Sequence, residues 1–369
     1  MGEVKAKKTR NANMDLLRIF SMFLIILLHS IDHSGVLEQA GFSSTAINLW
    51  VQFTYMLTQV CVNLYVLISG YFLINSRFRL QKLVALWLEV AFYSVVIKLI
   101  FMLVGYRSFS VASMISCLVP VFTGRYWFIT IYFGLYLIFP FLNIAVKAMN
   151  KSQHTLLNIV LFALFSVMVS IHPSFKGMNS GAGWGLAWFV VLYFAAAWFR
   201  LYFNSTKKLL PLAIWISSSF AIASGYIFIG DLIPLAKTLF DNQYRYDSVF
   251  AYVSSLCLLA AFINIKIKGD WLNKAIIFVA PSILGVYLIH AHSEFSPWSW
   301  EFLNVPQYME SLMFPVVQIG AVIAIFVFCV LIDIIRRYTI GRIETSGVVV
   351  KVCELVENKV RVLLLKVSD

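Results

Sequence analysis

Long runs of apolar residues, separated by short polar segments, recur along almost the whole chain. Each run is about as long as the roughly 20 residues that an α-helix needs to cross the hydrocarbon core of a bilayer. The pattern predicts ten membrane-spanning helices, at about 14–31, 51–74, 83–104, 126–146, 155–172, 185–203, 209–229, 248–265, 274–291 and 313–335. A further apolar stretch at 109–122 is too short to span, so we expect it to lie in the interface or to re-enter.

The basic residues alternate between the segments that join these helices. With a cytoplasmic N-terminus, 22 of the 29 lysines and arginines fall on the cytoplasmic side, five fall outside and two lie within spans. Because cytoplasmic loops carry an excess of Lys and Arg, this distribution predicts that both termini are cytoplasmic. A single missed span would destroy the alternation, so the count of ten and the orientation support each other.

The composition is that of an integral membrane protein. Hydrophobic residues make up 61% of the chain and charged residues only 12%, against about 25% charged residues in a soluble domain. This excludes a water-soluble enzyme, a disordered chain and a secreted disulfide scaffold. The net charge of +12 is explained by the inner loops, and no nucleic-acid binding is expected. The five cysteines show no metal-ligand spacing, so no metal is expected.

Three segments follow from this pattern. Residues 1–13 form a basic cytoplasmic N-terminus, 14–337 the transmembrane domain and 338–369 a cytoplasmic tail. Within the tail, the stretch from Val348 to Leu365 resembles a short amphipathic helix. We therefore predict an all-α protein of about ten transmembrane helices in the cell membrane, without a separate soluble domain.

The first span carries three ionisable residues, Asp15, Arg18 and His29. Such groups are costly inside a bilayer and mark functional sites by default. The 11 residues from Arg18 to His29 make about three full turns, so both lie on one face, about 16 Å apart along the axis. Asp15 neighbours Arg18 on that face. A snorkelling arginine and a hydrogen-bonded interfacial histidine are the structural alternatives.

This stretch resembles the first helix of the membrane-bound acyltransferase family 3, whose signature is Arg, ten residues and His. Further similarities follow in the family's order, from residue 13 to about 335: Leu67-Ile-Ser69-Gly70-Tyr71, the basic Arg77, Arg79 and Lys82, Tyr126-Trp127-Phe128 with Tyr136 and Pro140, and Leu284-Gly-Val-Tyr287-Leu-Ile-His290. Lys82 stands where the family's Arg-x-x-Arg motif has its second arginine. Lysine keeps the charge but loses the bidentate fork, so Arg77 is an alternative for that role.

The resemblance implies a membrane O-acyltransferase that moves an acyl group, usually acetyl, from cytoplasmic acyl-CoA to a hydroxyl of a cell-surface or lipid-linked glycan. We expect His29 to act as general base, Arg18 to hold the donor or stabilise charge, and Asp15 to orient Arg18. The residues expected to bind the acyl-CoA are Arg18, Ser69, Arg77, Arg79 and Lys82. Those expected to bind the acceptor are Tyr126, Trp127 and His290.

Several alternatives stay open. Arg79 and Lys82 also suit a positive-inside anchor, Tyr126 and Trp127 an interfacial aromatic belt, and His290 a helix cap. The donor is acetyl-CoA or another acyl-CoA, such as the succinyl form. The expected partners are the bilayer, acyl-CoA and the glycan, with a homodimer left open. The alternative function is a transporter or flippase for a glycan or an anion, although no repeated halves are detected.

Five other charged residues lie outside the stripe of the first helix. Glu89 and Lys98 lie on opposite sides of the third helix and are poor partners for each other. Asp333 precedes Arg337 by four residues, which predicts a structural ion pair near the inner edge. The acids of the last outer loop, among them Glu294, carry no functional prediction.

Overall fold

The computed structural model describes residues 12–106, 108, 110–172, 180–204, 209–340, 347 and 350–358, and every regular element in these ranges is helical. Eight helices in this part are long and apolar enough to span a membrane, and two shorter apolar helices, Leu186–Tyr202 and Val249–Asn264, complete ten spans. All ten agree with the predicted spans to within six residues at each end. The prediction of a ten-helix, multi-pass membrane protein is confirmed.

The helices are numbered in chain order. They are α1 (Ala12–Asp32), α2 (Val36–Ala40), α3 (Thr45–Thr58), α4 (Cys61–Leu73), α5 (Leu80–Leu103), α6 (Val111–Leu118), α7 (Trp127–Ala148), α8 (Lys151–Phe162), α9 (Met168–Ile171), α10 (Leu186–Tyr202), α11 (Leu209–Phe228), α12 (Pro234–Asp241), α13 (Val249–Asn264), α14 (Asp270–Val279), α15 (Ile283–His290), α16 (Phe295–Leu303) and α17 (Phe314–Thr339). We call the end of the bundle that holds the start of α1 the inner end, and the other the outer end.

The first span, α1, lies at the centre of the bundle. It packs against α3, α4, α13, α14, α15 and α17. The Asn13 side chain donates hydrogen bonds to the carbonyls of Phe262 and Ile263, which ties the start of α1 to the end of α13. Because α1 is surrounded by other spans, its polar residues face protein and not lipid. The ionisable stripe predicted from the sequence is therefore placed inside the bundle.

The most extensive contact between two spans in the described part of the chain joins α4 to α10. A Cβ atom at Gly70 would lie 2.8 Å from the Cβ of Ala196, nearer than two such atoms approach. Small residues allow backbones to approach in this way, and dispersion then holds the helices together. Trp188 and Tyr193 of α10 are fully buried in the same layer. This contact fixes α4, which carries one wall of the cavity described below.

We predict that Gly70→Ala destabilises the protein by about 1–3 kcal/mol, because the added methyl overpacks the contact between α4 and α10. Thermal unfolding in detergent, followed by tryptophan fluorescence, measures the effect. The matched control is Gly134→Ala, where the Cβ would meet Leu186 at an ordinary 3.6 Å. Equal melting temperatures for the two variants would contradict this account of the packing.

Two of the spans are interrupted where they face the cavity. The second span is divided between α3 and α4, and the ninth bends through a 3-10 turn at Ala280–Ser282. Cys61 and Val62 after the first interruption, and Pro281 in the second, line the cavity. Irregular backbone at membrane depth is tolerated where it is buried in protein or lines a cavity. A hydropathy pattern does not reveal such interruptions. The fifth span also contains a π-helical segment, Ala163–Val167.

The segments outside the ten spans are short. The apolar stretch at 109–122 contains the eight-residue helix α6, in which Cys117 is buried and most other side chains are exposed. In the tail, residues 350–358 are helical, while residues 348–349 and 359–365 of the predicted amphipathic segment lie outside the described residues. Residues 1–11, which belong to the predicted basic N-terminus, also lie outside the described residues.

The predicted ion pair between Asp333 and Arg337 is wrong. Asp333 instead pairs with Arg336 at 2.9 Å, and Arg336 also reaches Glu89 of α5 at 2.8 Å. Arg337 donates to the Ser282 hydroxyl at 3.0 Å. The three-residue spacing from Asp333 turns the Arg336 side chain toward Glu89 of α5. Without a countercharge, the carboxylate of Glu89 would be costly in this position. This cluster supplies the partner of Glu89 that the sequence left unknown.

Candidate functional site

A cavity of about 670 Å³ lies beside α1 and extends along the bundle. Its lining includes Lys82 at the inner start of α5 and Trp184 before the outer start of α10, both of them exposed. Residues exposed at the inner end and at the outer end of the bundle thus both contribute to the lining. Its charged and imidazole-bearing lining residues are Arg18, His29, Asp32, His33, Lys82 and Arg125. Arg18 and His29 of the predicted stripe thus face one continuous space.

Arg18 lies in the inner half of this cavity. Its guanidinium contacts the buried carboxylate of Asp15 at 3.1 Å and lies 5.6 Å from the centre of the Phe72 ring. The hydroxyl of Tyr65 donates to the Arg18 carbonyl at 3.1 Å. The Arg18 side chain nevertheless remains 36% exposed, so the guanidinium can still bind an anion. Asp15 is placed to orient Arg18, as the sequence predicted, while its catalytic role stays a prediction.

The other residues predicted to bind the donor are divided by the structure. Ser69 and Lys82 line the cavity with Arg18. Arg77 and Arg79 are exposed at the inner surface and are not among the lining residues, although the Tyr136 hydroxyl donates to the Arg79 carbonyl. Arg79 is extended and precedes the helix, so it does not share a helical face with Lys82. Of the basic residues Arg77, Arg79 and Lys82, it is therefore Lys82 whose position fits the predicted binding of the donor.

His29 lies at the outer end of the same cavity, within a row of three imidazoles. Its ring centre is 4.4 Å from that of His33 and 5.0 Å from that of His290. The Nδ1 atom of His29 makes no hydrogen bond to the described part of the chain. An imidazole that lines a cavity is suited to accept a proton from a ligand bound there.

His290 lies behind His29 and not in the cavity lining. It is buried, and its Nδ1 is 2.6 Å from the carbonyl of Val286. Because a carbonyl only accepts hydrogen bonds, Nδ1 must carry the proton, which leaves Nε2 bare in the neutral ring. His290 thus packs against His29 and restricts its ring. The predicted direct contact of His290 with the acceptor would require the side chains that line the cavity to move.

Tyr126 and Trp127 both line the cavity. The Tyr126 hydroxyl donates to the Leu288 carbonyl at 2.8 Å, which joins the start of α7 to α15. Trp127 stacks on Trp184, with ring centres 4.5 Å apart. Both residues lie in the outer part of the cavity. Their predicted role in binding the acceptor remains a proposal.

A charged network closes the outer end of the bundle, and sequence reasoning missed it. Lys98 of α5 meets Glu294 at 2.7 Å, and Arg125 lies 3.8 Å from the same carboxylate. His292 contacts Glu294 at 2.9 Å and bonds to the Ser94 carbonyl. Burial raises the pKa of Glu294, but hydrogen bonds from its neighbours outweigh it and hold that pKa well below its usual range. The network fixes Arg125 at the cavity.

We predict that Glu294→Gln destabilises the protein by about 3–5 kcal/mol at pH 7, because it leaves Lys98 buried without a countercharge. Thermal unfolding in detergent measures the loss. Since the pKa of Glu294 is lowered on folding, its contribution is complete above the pKa of the unfolded carboxyl and is lost at more acidic pH. The control, Glu301→Gln, changes an exposed glutamate on α16 and should be neutral. Equal stability of the two variants at pH 7 would refute the role of the pair.

Four further residues of the cavity were not singled out from the sequence. Asp32 and His33 follow His29 by three and four positions, a helical spacing that would have pointed to them. Trp184 and Tyr246 come from loops distant in sequence, and only the fold brings them together. Among the described residues, no cluster of His, Cys, Asp and Glu could hold a metal ion.

The comparisons with known proteins agree with this geometry. A family model described as an acyltransferase domain matches residues 11–334, which is most of the chain and extends from the first span into the tenth. No curated protein and no solved structure matches the chain significantly.

Proposed function

Since the chain belongs to the acyltransferase 3 family and is therefore a membrane acyltransferase, we propose that it transfers an acetyl group from acetyl-CoA to a glycan hydroxyl. The donor enters from the cytoplasmic side, and the acceptor is a cell-surface or lipid-linked glycan on the opposite side. One observation carries the proposal: a single cavity joins Arg18, near the inner end, to His29, near the outer end. An enzyme that acylates across a membrane needs such a connection.

The inner part of the cavity suits the donor. Arg18 and Lys82 supply two cations for the phosphates of coenzyme A, and arginine is well adapted to bind them. Between them and His29 the lining is mainly apolar and aromatic, with Met22, Ile25 and Tyr132 among its members. The extended pantetheine arm fits such a channel. About 16 Å of helix separates the two ends, so an arm anchored at Arg18 would bring its thioester toward His29.

The outer part suits the chemical step. His29, which lines the cavity, accepts the proton of the acceptor hydroxyl while the oxygen attacks the thioester carbonyl. The tetrahedral intermediate collapses with cleavage of the C–S bond. The proton then passes from the His29 imidazolium to the thiolate of coenzyme A. The products are an O-acetylated glycan and free coenzyme A, with no other reactant.

The two imidazoles that contact His29 help to keep its ring in position for this task. His290 holds a fixed tautomer through Val286, and His33 bonds to the Ser296 hydroxyl at 3.2 Å. The ring of His29 is therefore packed against two oriented partners, stacked on His33 and tilted by 40° to His290. A general base must keep its position to within a fraction of an ångström, and this packing supplies that restraint.

Radiolabelled acetyl-CoA tests the proposal against transport. Purified protein in lipid nanodiscs should release free coenzyme A and move the label to hydroxyl acceptors or to water. The flippase alternative predicts that acetyl-CoA stays intact while glycan or anion crosses the bilayer of sealed vesicles. Donor cleavage with no transport supports the acyltransferase, whereas transport with an intact thioester overturns it.

A further inference from the structure

Three aromatic rings form a stacked group at the outer end of the cavity. Trp184 lies 4.5 Å from Trp127 and 6.1 Å from Tyr246, and the planes of Trp127 and Tyr246 differ by only 15°. All three line the cavity. Trp184 remains 50% exposed, although Trp188 in the following helix is completely buried. A large aromatic surface is thus left open in a place where the fold buries its neighbours.

The loops that carry Trp184 and Tyr246 are joined through the buried carboxylate of Asp247. Asp247 is fully buried, pairs with Arg245 through Nε at 2.9 Å and NH2 at 3.0 Å, and accepts a hydrogen bond from the Ser180 hydroxyl. The same Ser180 hydroxyl accepts from the Gly183 amide at 3.2 Å. Asp247 therefore joins the turn that precedes Trp184 to the loop that contains Tyr246.

Gly183 allows the closest part of this contact. Its φ of +89° lies in the left-handed region, and a Cβ there would lie 2.6 Å from the Cβ of Tyr246. The backbone of Tyr246 is held in turn by Asn63, whose amide donates to its carbonyl at 2.7 Å. The rings are thus presented by a rigid support, which lowers the entropy lost when a ligand binds.

The surroundings of the group distinguish it from an interfacial aromatic belt. A belt tryptophan lies on the outer surface of the bundle at the headgroup level. Trp271 and Trp298 are exposed as such residues are, and neither of them lines the cavity. Trp184 shares its cavity with hydrogen-bonding groups of Arg125, Asp32 and His33. An aromatic face beside a few polar groups suits a ligand with an apolar face and hydroxyls at its edge.

We propose that Trp184, supported by Trp127 and Tyr246, is the subsite that binds a pyranose ring of the acceptor. The proposal rests on the proposed function, in which the acceptor is a glycan. Pyranoses with equatorial hydroxyls, such as those of glucose or N-acetylglucosamine configuration, carry an apolar C–H face that stacks on an indole ring. Their hydroxyls point outward in the ring plane, where Arg125, Asp32 and His33 can bind them and His29 can reach one of them.

Binding of simple pyranosides tests the subsite without requiring catalysis. Saturation-transfer NMR with methyl β-D-glucopyranoside and methyl β-N-acetylglucosaminide should show transfer from nanodisc-embedded protein to the ring C–H protons. We expect Trp184→Ala to reduce this signal at least fivefold and Trp184→Phe to retain most of it. Trp298→Ala, a tryptophan outside the cavity, is the matched control and should bind as the unchanged protein does.

Two results would overturn the subsite: equal signals for Trp184→Ala and the unchanged protein, or no signal from either pyranoside with the unchanged protein. Cleavage of acetyl-CoA with water as acceptor is measured on the same samples and should be the same in Trp298→Ala as in the unchanged protein. Loss of pyranoside binding in Trp184→Ala, with binding retained in Trp298→Ala and donor cleavage present in the unchanged protein, supports the subsite. Absence of donor cleavage in the unchanged protein contradicts the proposed function instead, whatever the binding result.

Discussion

Replacing His29 with alanine should lower acetyl transfer to hydroxyl acceptors by about 10²–10⁴-fold, the usual contribution of a general base. The fall should appear in kcat with little change in the KM for acetyl-CoA, because the donor phosphates bind at the other end of the cavity. Transfer of radiolabel from acetyl-CoA, measured at saturating donor, gives both constants.

The matched control for this experiment is His172→Ala. His172 is exposed at the end of α9 and does not line the cavity. His290→Ala offers a second comparison, since it removes a ring that packs on His29 without touching the cavity, and should cost less than His29→Ala. Near-normal turnover of the His29 variant, with the fold intact by thermal unfolding, would remove the general base from the mechanism.

Replacing Arg18 with alanine should raise the KM for acetyl-CoA by roughly 10- to 100-fold, because a charge-assisted hydrogen bond contributes about 1.5–3 kcal/mol. Arg18→Lys should recover part of the affinity, since it keeps the charge but loses the planar fork. Steady-state kinetics at varied acetyl-CoA measure the change. Asp15→Asn should have a smaller effect in the same direction, because Asp15 acts through its contact with Arg18.

Lys274→Ala provides the control for charge alone, because Lys274 is an exposed lysine of α14 that does not line the cavity. An Arg18 variant with the same KM as the Lys274 variant would show that Arg18 does not bind the donor. A large loss of kcat at saturating acetyl-CoA would instead assign Arg18 to the chemical step.

The spans were predictable because membrane helices obey one strong rule, the length of the apolar run. The same rule explains why the interruptions at Gln59–Val60 and Ala280–Ser282 were not predicted, since both lie within continuous apolar sequence. Arg18 and His29 were found because their spacing along one helix is visible in the sequence. Their common cavity confirms that they share a face, although it does not test their roles.

The remaining parts of the site depend on contacts between distant segments. Lys98 and Glu294 are separated by 196 positions, and nothing in either segment names the other as its partner. Trp184 lies in a glycine-rich loop that composition alone would describe as mobile, yet its position is fixed by Asp247. Arg336 and Arg337 are adjacent, and only the packing of α17 on α5 decides which of them meets the buried acids.

The central claim is that the acyl group passes through the cavity from one side of the membrane to the other. The most direct measurement uses sealed proteoliposomes with acetyl-labelled acetyl-CoA outside and methyl β-D-glucopyranoside inside, and His29→Ala proteoliposomes as the blank. Our account predicts labelled acetyl groups in the lumen, as ester or as acetate, while coenzyme A accumulates outside. Label and coenzyme A released only on the same side of the membrane would contradict it.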